Sequence, residues 1–115
     1  MSIEYKWDMP VNMSTRTLAQ IQLLDEVCRE FNCERADIKK ITRRRELVDA
    51  RSVYAYLLHK HLHYTVVRIG EEINRNHSSV VCALRRVESY IRMKDFVKDS
   101  LESIENNFLT INKNL

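Results

Sequence analysis

The chain of 115 residues has very little glycine and proline, with one residue of each. Glycine and proline interrupt helices and build tight turns, so their scarcity favours helical segments joined by short connections. Leucine, arginine, glutamate and lysine are abundant, and these straight-chain or γ-branched residues suit helices. The length allows one modest core. We therefore predict an all-α domain.

Other absences exclude several classes of protein. No run reaches the roughly 20 apolar residues that a membrane span needs, and the first ten residues lack the apolar segment of a secretory signal. The single glycine, Gly70, excludes a phosphate-binding glycine loop, and neither a zinc-protease motif nor a nucleophile elbow is present. We expect a cytoplasmic protein that is not an enzyme and has no cofactor, nucleotide or membrane partner.

Cysteine and histidine do not form a recognisable metal or disulfide pattern. The count of three cysteines is odd, and Cys28 and Cys82 are expected on apolar helix faces. His59 and His63 share one face of a helix while His61 points elsewhere, and no carboxylate or cysteine adjoins them in sequence. We predict no metal site.

Positive charge is concentrated in the middle of the chain. The net charge is +3, yet residues 34–94 carry 14 Lys and Arg against 7 Asp and Glu, while both flanks are net acidic. A polyanionic partner explains this distribution. Ordinary solvated helix faces are the alternative.

Apolar residues recur at helical spacing along most of the chain. Ser14 to Thr17 supply candidate N-caps for the first helix. An arm of residues 1–16 is expected to precede a domain of residues 17–115. We predict a compact bundle of five to six helices over residues 18–31, 34–41, 47–62, 66–73, 77–92 and 95–108.

The fourth and fifth predicted helices lie close enough to form a helix-turn-helix. Thr65 is the expected N-cap of the fourth helix, Asn74 a turn residue with left-handed backbone angles, and Asn76 the N-cap of the fifth. A helix that begins after such a cap can place its first turn in the major groove of DNA.

Polar residues occupy the N-terminus of that fifth helix. His77, Ser78 and Ser79 can reach base edges or phosphates, and Arg75 just before the helix can hold a phosphate. The alternative is a capped turn between two core helices whose polar residues are merely solvated.

A second basic segment lies upstream. Arg43, Arg44 and Arg45 can contact phosphates or enter a minor groove, although a solvated loop is the alternative. Arg51, near the start of the third helix, is a candidate base contact because arginine can bond guanine through two donors.

The motif resembles the C-terminal DNA-binding domain of the bacterial replication initiator DnaA, over about residues 17–108. That family's signature has a glycine after an isoleucine, then a basic residue, an aspartate, a histidine and two hydroxyl residues. The matching residues here are Ile69-Gly70, Ile73, Arg75, His77-Ser78-Ser79-Val80, Ala83 and Arg86-Val87.

The resemblance implies a Trp-repressor-like helix-turn-helix that reads the major groove, with a basic loop in or beside the minor groove. It implies phosphate contacts for Thr65, Arg45 and Arg75. It implies base or groove contacts for Arg43, Arg51, Asn76, His77, Ser78 and Ser79.

The chain departs from the family in three places. The turn before Arg75 is one residue shorter than usual, and Ser52 replaces a longer polar residue. Asn76 replaces an aspartate, and an amide need not select the cytosine amine that a carboxylate selects.

These observations predict a free-standing, nucleoid-associated protein that binds double-stranded DNA in the regulation of replication or transcription, including binding at a replication origin. A replication or transcription protein is a second candidate partner. The alternative function is a helical protein–protein interaction module that does not bind DNA.

Overall fold

The computed structural model describes residues 10–113, and it describes the side chains of residues 17–110. Within that range the chain forms five α-helices and one short 3-10 helix, η1, with no strand. This confirms the predicted all-α bundle. In chain order the elements are α1 (Pro10–Phe31), η1 (Arg35–Lys39), α2 (Arg45–Leu62), α3 (Val66–Ile73), α4 (His77–Arg92) and α5 (Phe96–Lys113).

Several boundaries differ from the sequence-based prediction, among them the end of α5, which lies at Lys113 instead of near Phe108. Helix α1 begins at Pro10 instead of near Ser14, and proline suits the first turn of a helix because its missing N–H needs no partner there. The proposed arm of residues 1–16 therefore overlaps α1, and residues 1–9 lie outside the described part of the chain.

The second predicted helix, residues 34–41, is only the single 3-10 turn η1. Ile38 is its one buried residue, so the segment has too little apolar surface to support a longer helix. The Asp37 carboxylate closes the turn by accepting a hydrogen bond from the Glu34 N–H at 3.0 Å.

Helix α2 begins at Arg45, two residues before the predicted start. Arginine is a good helix former, and Glu46 in the first turn complements the positive end of the helix dipole. As a result, Arg45 lies on a helix and only residues 40–44 form the basic loop.

Helix α2 lies at the centre of the molecule, and one core cluster includes residues from α2 and from the other four α-helices. Its Val53, Tyr54, Leu57 and Leu58 are fully or almost fully buried. The cluster is completed by residues from the surrounding helices, including Leu23, Val27, Ile69, Ile73, Val80, Val87, Val97, Leu101 and Ile104.

The predicted caps of the helix-turn-helix are confirmed. The Thr65 hydroxyl accepts a hydrogen bond from the Arg68 N–H at 3.1 Å, and Asn74 has φ 58° and ψ 51°. Asn76 Oδ1 accepts from the Ser79 N–H at 2.9 Å. These contacts fix where α3 ends and where α4 begins.

None of the helices in the described part of the chain is both long enough and apolar enough to cross a membrane.

Candidate nucleic-acid interface

A concave groove of about 770 Å³ separates the basic loop from the first turns of α4. Its walls come from the loop, from α2, from the turn before α4, and from α4 itself. Six residues that the sequence predicted as contacts line it: Arg43, Arg51, Arg75, Asn76, Ser78 and Ser79. The fold therefore brings together two segments that lie more than 30 positions apart in the sequence.

Positive charge in this groove is not neutralised by its own walls. Arg43, Arg51, Arg75 and Arg86 line the groove, whereas none of the described lining residues is Asp or Glu. Burial, and then the positive charges of Arg75 and Arg86, lower the pKa of Arg51. The neighbouring charges of Arg75 and Arg86, and not the burial, are the part of this effect that favours an anionic ligand.

Arg51 is only 7% exposed and anchors the start of the basic loop. Its Nε donates to the Ile38 carbonyl at 2.9 Å, and its Nη2 donates to the Lys40 carbonyl at 2.9 Å. The sequence-based hypothesis of a base contact remains a prediction. The contacts observed within the chain are those of a residue that positions the loop.

Arg75 connects the same loop to the turn of the helix-turn-helix. Its Nη2 donates to the Lys40 carbonyl at 2.9 Å, and its Nη1 donates to the Asn74 carbonyl at 2.9 Å. The Lys40 carbonyl thus accepts from both Arg51 and Arg75. The two walls of the groove are consequently fixed relative to each other by arginine side chains that donate to one backbone carbonyl.

Arg86 is a groove residue that the sequence reasoning did not select. Its Nη1 donates to the Ser52 hydroxyl at 3.0 Å, and that hydroxyl donates to the Val48 carbonyl at 2.9 Å. The signal was present in the helical spacing, since Ser79 and Arg86 are seven positions apart and share one face of α4. Cys82 lies between them on that face and is exposed, so the expectation that it faces the core is wrong.

The remaining predicted residues lie at the rim or outside the groove. Arg44 is exposed and pairs with Glu46 at 2.9 Å. Thr65 is the exposed N-cap of α3. His77 is exposed beside Asn76, on the wall of a shallower depression between α3 and α4.

Arg45 is held by two partners on the surface next to the groove. Its Nε donates to the buried Asp49 carboxylate at 3.2 Å, and the Tyr90 hydroxyl donates to the same carboxylate at 2.8 Å. The Arg45 guanidinium also lies 5.9 Å from the centre of the Tyr90 ring. A side chain ordered in this way loses less entropy when it binds a phosphate.

The histidines of α2 have protein partners. The ring nitrogen Nδ1 of His59 lies 3.1 Å from the Tyr64 carbonyl, and Nε2 of His61 lies 2.8 Å from a Glu105 oxygen. Among the described residues, no three His, Cys, Asp or Glu side chains gather closely enough to hold a metal ion.

Known proteins resemble this chain over the segment that forms the groove. The family model of the bacterial dnaA protein helix-turn-helix matches residues 21–87, more than half of the chain. The chain belongs to the bacterial DnaA helix-turn-helix family. The matched residues run from α1 into α4 and include every wall of the groove.

Individual DnaA relatives agree with that assignment. The chromosomal replication initiator protein DnaA of Mycoplasma pneumoniae is 35% identical over 82 residues, which cover 71% of this chain and 19% of that protein. The protein of the same name from Bacteroides fragilis is 30% identical over 96 residues, covering 83% of this chain and 20% of the relative. The chain thus spans about a fifth of the length of these relatives.

Proposed function

We propose that this DnaA-family chain binds double-stranded DNA, with α4 in the major groove and the basic loop in the adjacent minor groove. The observation that supports this most strongly is the groove between them, which four arginines line and to which no described carboxylate contributes. Duplex DNA carries a dense row of phosphates, so it is the polyanion that such a surface suits.

The groove fits the strand that separates the two DNA grooves. A protein that inserts one element into the major groove and another into the neighbouring minor groove must accommodate the sugar–phosphate backbone between them. We propose that Arg75 and Arg86 contact those phosphates, since both line the concave surface. Arg45 and Thr65 are proposed as phosphate contacts at the rim.

In this proposal the first turn of α4 reads the base sequence of the DNA. His77, Ser78 and Ser79 are exposed there and carry the donors and acceptors that base edges require. Arg43 is exposed on the loop and is proposed to enter the minor groove, where negative potential attracts arginine. Arg44 adds a contact at the loop's outer side, and Arg51 acts chiefly by holding the loop.

The biological role that we propose is binding at a replication origin during initiation of replication, or regulation of transcription at similar sites. The DnaA relatives are named as chromosomal replication initiators. The match concerns their helix-turn-helix, so the proposed role is DNA recognition without catalysis. A replication or transcription protein is a second proposed partner, and the proposed location is the nucleoid in the cytoplasm.

A helical interaction module is the alternative function. Leu18 on α1 is 59% exposed and Phe96 on α5 is 65% exposed, so the terminal helices retain apolar surface outside the groove. This alternative predicts that substitutions in the groove leave the principal binding activity unchanged.

The test is selection of duplexes from a random-site library by the full chain, followed by affinity measurements on the enriched site. We expect His77→Ala and Ser79→Ala to weaken sequence preference, because these side chains face base edges. Arg75→Ala should instead weaken binding to all duplexes, because it removes a phosphate contact, which carries no sequence information, together with the hydrogen bonds that fix the loop to the turn. Failure to enrich any duplex, or unchanged binding in all three variants, contradicts the proposal.

A further inference from the structure

The cap at the start of α4 fixes the orientation of the Asn76 amide. Asn76 Oδ1 accepts a hydrogen bond from the Ser79 N–H at 2.9 Å. Only the oxygen of an amide can accept, so the oxygen must face the helix and the NH₂ group must face away from it. The cap therefore turns the acceptor of this side chain toward the backbone of α4.

The outward NH₂ group lies at the exposed start of α4. Asn76 is exposed and contributes both to the arginine groove and to the shallower depression between α3 and α4. Among the described residues, none places an acceptor within hydrogen-bonding distance of its Nδ2. The hydrogen bond that its side chain makes is the one accepted from the Ser79 N–H. What Asn76 offers to a partner at this point is a pair of N–H donors.

We propose that Asn76 is a specificity-determining residue that reads the major groove as a donor and rejects cytosine at the base it faces. This inference rests on the proposed function, because it requires α4 to lie in the major groove. Guanine O6 and N7, thymine O4 and adenine N7 can all accept from the outward NH₂ group. Cytosine offers only its N4 amine at this edge, so the two donors would face each other.

Aspartate at this position would act in the opposite sense. Asp and Asn are about equally good N-caps, so a carboxylate can cap α4 with one oxygen. Its second oxygen would then replace the outward NH₂ group with an acceptor. An acceptor at that point selects the amine of cytosine or adenine. Asn76→Asp therefore changes the chemistry presented to DNA while it preserves shape and cap.

The experiment is random-site selection on duplex DNA with the full chain and three variants. Asn76→Asp is the test, and Asn76→Ser retains a capping residue but is too short to reach the base. Asn106→Asp on α5 is the matched control, since it adds the same negative charge at an exposed position that does not line the groove.

We expect one base pair of the selected site to depend on position 76. The wild-type chain and Asn106→Asp should deplete cytosine there, Asn76→Asp should prefer cytosine or adenine by about five- to tenfold, and Asn76→Ser should accept all four bases.

Two results overturn the inference. If Asn76→Asp still depletes cytosine, or gains no preference for a base with an amine, the outward donor does not determine specificity although duplex binding stands. If the wild-type chain enriches no duplex at all, the proposed function fails and the inference fails with it. Thermal unfolding of each variant shows whether the α4 cap has been kept.

Discussion

The arginines of the groove differ in how far the protein itself uses their donors. Arg51 is buried and donates to two backbone carbonyls, whereas Arg86 is exposed and donates to one hydroxyl. A guanidinium has five N–H donors, so Arg86 retains several for a phosphate. The two residues are of one type, but the contacts of Arg51 are those of a residue that positions the loop, whereas Arg86 is the proposed phosphate contact.

Arg86→Ala tests this assignment at a residue that the sequence reasoning did not select. We expect weaker binding to all duplexes, by about tenfold, and a salt dependence lower by about one charge, because one phosphate contact is lost. The measurement is fluorescence anisotropy of a labelled duplex at several salt concentrations.

Arg85→Ala is the control for Arg86→Ala, since Arg85 is the exposed neighbour on α4 that does not line the groove. Equal losses in the two variants would show that general positive charge, and not the groove, holds the DNA.

Among the contacts of single residues, those between neighbours in the sequence could be predicted. The caps made by Thr65 and Asn76 each join residues three positions apart, and such contacts follow from residue type and helical pattern. The anchoring of Arg51 could not be predicted in this way, since its acceptors lie 13 and 11 positions upstream. Only the fold brings them to its side chain.

The helix-turn-helix depends on a close approach of α3 to the following turn. Gly70 on α3 packs against the Arg75 carbonyl so tightly that a Cβ at position 70 would lie inside van der Waals distance of that oxygen. The Arg75 N–H in turn donates to the Gly70 carbonyl at 2.9 Å. Glycine is needed here for space, because a backbone atom cannot move aside as a flexible side chain can.

Gly70→Ala tests the close approach through the sign of its effect. Helix propensity alone predicts stabilisation by about 1 kcal/mol, whereas the steric clash predicts destabilisation by about 1–3 kcal/mol. We expect the clash to dominate and DNA affinity to fall, since α4 must shift relative to the loop. Urea unfolding gives the change in free energy of unfolding.

Glu71→Ala, at an exposed position of the same helix, is the control and should change stability little. An unchanged or more stable Gly70→Ala protein would contradict the packing account.

At the level of elements, the helices with clear caps were predicted better than the other elements. Helices α3 and α4 have the predicted bounds because several buried residues repeat at helical spacing between clear caps. The 3-10 turn η1 offers one buried residue, Ile38, and one residue defines no period. The start of α2 was missed because a run of arginines fits a loop and a helix equally well.

Across the whole molecule, the groove and the two terminal helices occupy different surfaces. Helices α1 and α5 contact each other, and among the described residues neither contributes to the lining of the groove. Both flanking segments are net acidic while the middle of the chain is basic. The charge asymmetry seen in the sequence thus corresponds to a basic face formed by the loop, α2 and α4.

A carboxylate on α5 attaches that helix to the end of α2. Glu105 accepts hydrogen bonds from Lys60 Nζ at 2.7 Å and from His61 Nε2 at 2.8 Å. Burial raises the pKa of the Glu105 carboxyl, but the hydrogen bonds from Lys60 and His61 outweigh that effect and leave the pKa below its ordinary value of 4.5. The charged form is therefore the one that stabilises the fold.

Glu105→Gln should consequently destabilise the protein in a pH-dependent manner. Because the folded pKa is lowered, the contribution of Glu105 is fully present above pH 4.5 and is lost as the pH falls through the folded pKa. We expect a loss of about 1–2 kcal/mol at pH 7 that shrinks in more acidic solution, measured by urea unfolding between pH 7 and pH 3.

Glu102→Gln is the comparison, since Glu102 is more exposed and pairs within α5 with Lys98. A Glu105→Gln effect that stays constant over the whole pH range would contradict the assigned role of the carboxylate.

The central claim is that the arginine groove holds the phosphate backbone of duplex DNA, and the salt dependence of binding tests it most directly. Affinity of the wild-type chain for a selected duplex is measured from about 50 to 200 mM salt. The account predicts a slope of log K against log salt concentration between about −3 and −5, because four or five phosphates are neutralised. A slope flatter than about −1, or no duplex binding at the lowest salt, would contradict it.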